Sequence, residues 1–144
     1  MEISGEQRIA APRDKVWEAL NDPNVLKACI LGCEELEKIS DTEMKSVVLA
    51  KFGPVKAKFK ADITIEDIDV ANSCKLVGNG QGGMAGFANG IASIKLSDDG
   101  DLTLLQYQVD FSVGGKLAQI GSRLLKGTTT KIVDHFFNTF PTQL

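Results

Sequence analysis

From Val55 to Glu66 the chain alternates without an error. Val55, Ala57, Phe59, Ala61, Ile63 and Ile65 are apolar, and the residues between them (Lys56, Lys58, Lys60, Asp62, Thr64, Glu66) are polar. Such a run predicts a strand with one dry and one wet face. At ~3.3 Å per residue it would span about 40 Å, long enough that a curved strand is expected. Leu105 to Val113 repeats the pattern with Leu105, Tyr107, Val109, Phe111 and Val113 on one side. Two turns set the pairing. A two-residue loop at Gly53-Pro54 places Phe52 opposite Val55, Val48 opposite Phe59 and Met44 opposite Ile63. A hairpin at Asp99-Gly100 places Ile94 opposite Leu105, Ala92 opposite Tyr107, Gly90 opposite Val109 and Ala88 opposite Phe111. Both put the apolar residues on a common face, as one buried side requires.

Helical spacing is confined to the ends. Pro12, at a first helical position, precedes the stripe Val16, Trp17 and Leu20, and Asp22-Pro23 reads as an N-cap leading through Val25, Leu26 and Cys29. After Gly114-Gly115, apolar residues recur at helical spacing from Lys116 to about Phe140 (Leu117, Ile120, Leu124, Leu125, Ile132, Phe136). The expected class is α+β: a curved antiparallel sheet of about seven strands around a long C-terminal helix, with two short helices after the first strand. The 144 residues form a single domain, 1–144, large enough for a core without disulfides or metals.

Composition narrows the chemistry. With 16 Lys and Arg against 19 Asp and Glu, the net charge is −3 and no basic tract offers a face to nucleic acid. One His excludes zinc centres built on two or three histidines. Cys29, Cys33 and Cys74 are an odd, irregular set, read as reduced thiols of a cytoplasmic protein. A zinc site on Cys29 and Cys33 would need His135 as well; buried apolar thiols are the ordinary reading. No stretch has the length of a membrane span or the apolar run of a signal peptide.

Gly78 to Gly83 satisfies the letters of G-x-G-x-x-G, yet strand-like sequence lies on both sides, where a dinucleotide site requires a helix to follow. Six glycines between Gly78 and Gly90 suggest instead a bent sheet with little side-chain volume inside. The C-terminal helix has a matching thin stretch, Lys126-Gly127-Thr128-Thr129-Thr130-Lys131, with Gly121 and Ser122 before it. Small residues facing a glycine-rich sheet leave room for a ligand, unless Tyr107, Phe111 and Phe87 fill the space. His135 beside Asp134 reads as a histidine near a helix C-terminus. A partnership with Ser122 fails because thirteen helical residues separate them by about 20 Å. Lys51, Lys56, Lys58 and Lys60 share the wet face near Gly53-Pro54, ordinary for solvated lysines but open to an anionic membrane or an acidic partner.

Several segments together resemble one family. They are Ala11-Pro12 with Val16-Trp17, Leu20 and Asp22-Pro23; Cys29-Ile30-Leu31-Gly32-Cys33-Glu34; Phe52-Gly53-Pro54-Val55; Gly80 to Gly90 with Gly86-Phe87-Ala88; Val113-Gly114-Gly115-Lys116-Leu117-Ala118 with Gly121-Ser122-Arg123; and Phe136-Phe137. In order, they resemble the carbon monoxide dehydrogenase CoxG family of the START-related helix-grip superfamily. The resemblance implies a sheet gripping a helix around an apolar cavity. It also implies an accessory role beside a molybdenum hydroxylase of the carbon monoxide dehydrogenase type, in membrane recruitment or electron delivery to quinone. It carries over no catalytic residue, metal or cofactor.

The expectation is therefore a non-catalytic binder of a hydrophobic small molecule, with a lipid or isoprenoid quinone as the sharpest form. Its cavity would be lined by Phe59, Ile63, Met84, Phe87, Tyr107 and Phe111 from the sheet, and by Leu117, Ile120, Gly121, Leu124, Leu125 and Thr128 from the helix. Tyr107 is the internal hydroxyl expected to orient a ligand carbonyl. The alternative is a docking or assembly factor for the hydroxylase with an incidental cavity. An enzyme acting on a hydrophobic substrate ranks behind both, because acid–base groups are scarce.

Overall fold

The computed structural model describes all 144 residues. Strand β1 (Glu2–Ile9) is followed by helices α1 (Arg13–Leu20) and α2 (Pro23–Cys29). Strands β2 (Cys33–Lys38), β3 (Glu43–Phe52), β4 (Val55–Asp69), β5 (Ser73–Gln81), β6 (Phe87–Asp99) and β7 (Leu102–Gly114) come next, and helix α3 (Ser122–Thr139) closes the chain. The seven strands form one antiparallel sheet in the order β1-β7-β6-β5-β4-β3-β2, in which only β1 departs from a simple meander. Sheet and helices together make the α+β architecture expected from the periodicity.

The β3–β4 hairpin has the register that its pattern dictates, with Phe52 opposite Val55, Val48 opposite Phe59 and Met44 opposite Ile63. The β6–β7 hairpin does not. Its loop is Gly100-Asp101, so Ile94 faces Tyr107, Ala92 faces Val109, Gly90 faces Phe111 and Ala88 faces Val113. Gly100 takes φ +60° while Asp101 stays at negative φ, so a glycine at the first loop position makes the turn. Each pairing has slipped by two residues, which preserves the faces because side chains alternate with period two.

Helix boundaries differ as well. Pro12 caps α1 from outside in extended conformation (φ −68°, ψ 156°) rather than opening its first turn. Asp22 does cap α2, accepting the Asn24 N–H at 2.9 Å. The C-terminal helix starts at Ser122, six residues later than the apolar spacing predicts. Gly115–Gln119 forms a short 3₁₀ turn, and Gly121 at φ +91° separates it from α3. Residues Leu117 and Ile120 thus keep their apolar role but belong to the connection.

The core is divided. One cluster joins α1 and α2 to the sheet through Ile9, Val16, Leu96, Leu105 and Phe140. A second gathers Phe52, Phe59, Ala85, Leu117 and Leu125. A third holds Leu26, Met44, Ile65 and Cys74. The accessible surface is 8048 Å², against about 7,200 Å² for a compact chain of this mass. The excess fits a core opened between its clusters.

Candidate functional site

Between α3 and the concave face of the sheet lies a cavity of about 310 Å³, almost entirely apolar at its surface. Its shape follows from cross-strand rows. One row runs Ser46, Ala61, Gly80, Ala88 and Val113 across β3 to β7, and the next runs Met44, Ile63, Gly78, Gly90 and Phe111. Small residues stand in the middle of both, so the sheet presents bare backbone where a packed core would present leucines. Asn79 and Asn89 touch the cavity only from this backbone side, since alternation sends their side chains outward. Overhead, α3 contributes Thr129 and Ile132. Thr129 and Thr130 donate their hydroxyls to the carbonyls of Leu125 and Lys126, at 2.8 Å each, and Gly127 meets nothing nearby. That thin stretch roofs the cavity without filling it.

Of the twelve residues expected to line the cavity, Phe59, Ile63 and Phe111 do. Leu117 and Leu125 are buried in the cluster that closes one end, with Ile120 packed against it. Leu124 and Thr128 turn outward into a neighbouring groove of about 590 Å³, which shares Ala50 and Ile132 with the cavity. Gly121 is the break before α3 and does not line the cavity. Met84 is 85% exposed on the 3₁₀ turn Gly83–Ala85, and Phe87, 39% exposed, lies across the bare Gly114. Tyr107 is displaced because its ring finds two surfaces elsewhere. It covers Gly5 of β1 and stacks on Phe137 at 5.0 Å. Burial, and then the charge of Asp134, push its phenol above the usual tyrosine range. The stability this contributes is complete below the ordinary pKa and is lost as pH rises through the folded value.

Sequence reasoning missed Ile30, Ser46, Val48, Ala50, Phe52, Ala61, Ala88, Val113 and Ile132, all of which touch the cavity. The signal was present for most of them. They occupy the dry positions of β3 and β4 around the hairpin whose register is legible in the sequence. Two wider hollows, of about 660 and 740 Å³, lie on the outer face of the sheet among Lys, Glu, Gln and Ser side chains. Their polar, open walls do not suit an apolar ligand.

The rest of the candidate chemistry disperses. Burial pushes the thiols of Cys29, Cys33 and Cys74 upward; at Cys33 the charge of Lys27 and a backbone hydrogen bond with Glu35 pull the other way. No three His, Cys, Asp or Glu side chains converge to hold a metal ion, so Cys29, Cys33 and His135 do not form a zinc site. Protonated thiols are poor nucleophiles. In the native protein a disulfide reagent such as DTNB should therefore find at most one thiol, Cys33, at a rate below that of free cysteine, and all three after unfolding. Rapid modification of Cys29 or Cys74 would show that these core clusters open.

Charge is segregated along the sheet. The segments 44–61, 70–97 and 111–133 contain no Asp or Glu and carry 11 of the 16 basic residues. They include the Gly53-Pro54 tip, the Gly82–Gly86 tip and the β7–α3 connection, which antiparallel order brings to one end of the sheet. Lys58 reaches Glu34 at 3.3 Å, whereas Lys51 and Lys131, on the groove beside α3, have no acidic partner.

Comparison with known proteins decides the family. The sequence profile of the carbon monoxide dehydrogenase CoxG subunits matches residues 5–144. The chain belongs to the CoxG family. A solved structure of a conserved protein from Geobacillus kaustophilus is 34% identical, with a TM-score of 0.92 over 99% of this chain and 94% of that one. A START superfamily protein from Mycobacterium smegmatis (12% identity, TM-score 0.74, 99% and 95% covered) shares the fold. So does the Zhui aromatase/cyclase from Streptomyces sp. R1128 (12% identity, TM-score 0.71, 99% and 92% covered). The sheet and helix are therefore those of the START-like helix-grip fold. No curated protein matches the chain. No helix is long and apolar enough to cross a membrane.

Proposed function

We propose that this CoxG-family protein binds a hydrophobic small molecule between α3 and the sheet, without transforming it. Its role would be that of an accessory protein to a molybdenum hydroxylase of the carbon monoxide dehydrogenase type. The observation that carries the reading is the cavity wall: about 310 Å³ lined by Val48, Phe59, Ile63, Phe111, Ile132 and their neighbours, with no ionisable side chain among them. An apolar, preformed pocket with few polar groups is what a hydrophobic ligand needs, and acid–base chemistry has no group there to perform it. A lipid or isoprenoid quinone is the sharpest form of the proposal. The groove beside α3, where Leu124 is 48% exposed, gives such a molecule room to extend beyond the cavity.

A second reading, docking to the hydroxylase with the cavity incidental, draws on the segregated charge. The lysine-rich end with Met84 at its tip suits an acidic protein surface, and it is also where the protein would meet the anionic inner face of a membrane. Native mass spectrometry of protein purified from its own cells, followed by solvent extraction, separates the two readings. The binder reading expects an adduct mass and a neutral lipid or quinone in the extract. A bare chain whose melting temperature no lipid or quinone shifts would overturn it in favour of docking.

A further inference from the structure

Two polar residues are buried in this protein, Thr103 and Ser46. The hydroxyl of Thr103 donates to the Ala11 carbonyl at 2.7 Å, as a buried hydroxyl should. Ser46 is only 4% exposed, yet no side-chain hydrogen bond in the chain involves it. It stands on the concave face of β3 between Met44 and Val48, opposite Ala61, at the edge of the emptiest cross-strand row. Its hydroxyl is therefore aimed into the cavity, where it is the one polar side chain without an internal partner. Thr129 has its proton committed to the Leu125 carbonyl. Asn89 Oδ1 also lacks a partner, but alternation places that side chain on the outer face.

The one fully enclosed side-chain atom without a partner is Asn89 Oδ1, so the Ser46 oxygen faces open space rather than packed carbon and is free to bond a guest. Every other dry position of β3 is apolar (Met44, Val48, Ala50, Phe52), so alanine or valine would have served the strand equally well. We infer that Ser46 is the polar anchor of the cavity, and that the ligand is a neutral hydrophobe carrying a carbonyl or hydroxyl oxygen on the part that reaches β3. Neutrality follows from the wall, which offers no counter-charge. A single oxygen follows from the single free hydroxyl. The anchor fixes orientation: the oxygen lies at the β3 side of the cavity, and the carbon skeleton runs across Ala61, Gly80 and Ala88 toward Val113. This assignment rests on the cavity being a ligand site and names the class of ligand it takes.

The test compares two probes that share a skeleton, tetralin (a hydrocarbon) and 1-tetralone (its ketone), titrated by NMR into the wild-type chain and into Ser46→Ala. Removing the anchor should weaken 1-tetralone by about 3- to 10-fold, the range that one neutral hydrogen bond supplies, and leave tetralin unchanged or slightly tighter. Ser46→Thr, which keeps a hydroxyl, should restore most of the ketone affinity. Ser46→Ala should melt close to the wild-type temperature, since the hydroxyl makes no hydrogen bond within the chain. If Ser46→Ala weakens both probes equally, or neither, Ser46 is not the anchor although the cavity binds. If neither probe binds the wild-type protein, the cavity reading itself fails, and the anchor with it.

Discussion

Gly78→Leu should abolish tetralin binding and at the same time make the protein more stable. A Cβ built at Gly78 meets no atom within 4 Å, and the residue lines the cavity midway across the sheet. Its φ lies outside the left-handed region, so a side chain can be added without backbone strain. A leucine there would occupy the ligand's place with apolar atoms. Burying that side chain contributes about 1.5–3 kcal/mol, and replacing a mid-strand glycine adds about 0.5–1 kcal/mol. For a chain of this size the melting temperature should rise by roughly 5–10 °C, while tetralin affinity falls by more than about tenfold. Ordinary core positions behave in the opposite way, since adding bulk to a filled core destabilises it. A loss of stability in Gly78→Leu would mean that the space is already filled.

Gly86→Ala should do the reverse and unfold the end of the grip. Gly86 stands at φ 107° and ψ −147°, a region that only glycine adopts readily. An added Cβ would lie 1.9 Å from the Gly114 carbonyl oxygen, which is backbone and cannot swing away. Gly115 presses back from the other side, where its own Cβ would lie 2.7 Å from the Gly86 Cα. These three glycines bring the β5–β6 tip against the exit of β7, and the contact seats Ala85 in the cluster with Leu117 and Leu125. Strain together with forced backbone movement should cost about 3–5 kcal/mol, enough to lower the melting temperature by more than about 10 °C. Chemical denaturation measures this directly. A cost below about 1 kcal/mol, no more than one ordinary substitution, would show that the tip is not fastened in this way.

The contrast between these two glycines marks how far the sequence could be read. Both belong to the cluster between Gly78 and Gly90, which composition alone singles out. Spacing could not tell that Gly78 vacates volume while Gly86 permits a backbone contact, because the difference lies in what stands opposite on another strand. Register had the same limit. At Gly53-Pro54 the loop residues admit one reading, whereas at Asp98-Asp99-Gly100-Asp101 the alternation is satisfied equally by loops one residue apart, which shift every pairing by two. The sheet and its dry face were legible from period-two patterning, whereas the small residues alone left open whether the space inside was empty or filled by Tyr107, Phe111 and Phe87. The lining was not legible. Tyr107 and Phe87 left the cavity because glycines at 5 and 114, far away in the chain, offer flat backbone for aromatic rings to cover. Ser46 went unnoticed although it is the one polar interruption among the dry positions of β3, a signal that becomes meaningful once β3 is known to wall a cavity.

If the space between α3 and the sheet receives a hydrophobic molecule, methyl NMR during a tetralin titration reveals it most directly. The methyl groups of Val48, Ala61, Ile63, Ala88, Val113 and Ile132 face that space, while those of Val47, Val77 and Ile91 stand at outer-face positions of the same strands. A ligand cavity predicts saturable shifts confined to the first set. No shifts, or shifts led by Val47, Val77 and Ile91, would contradict it.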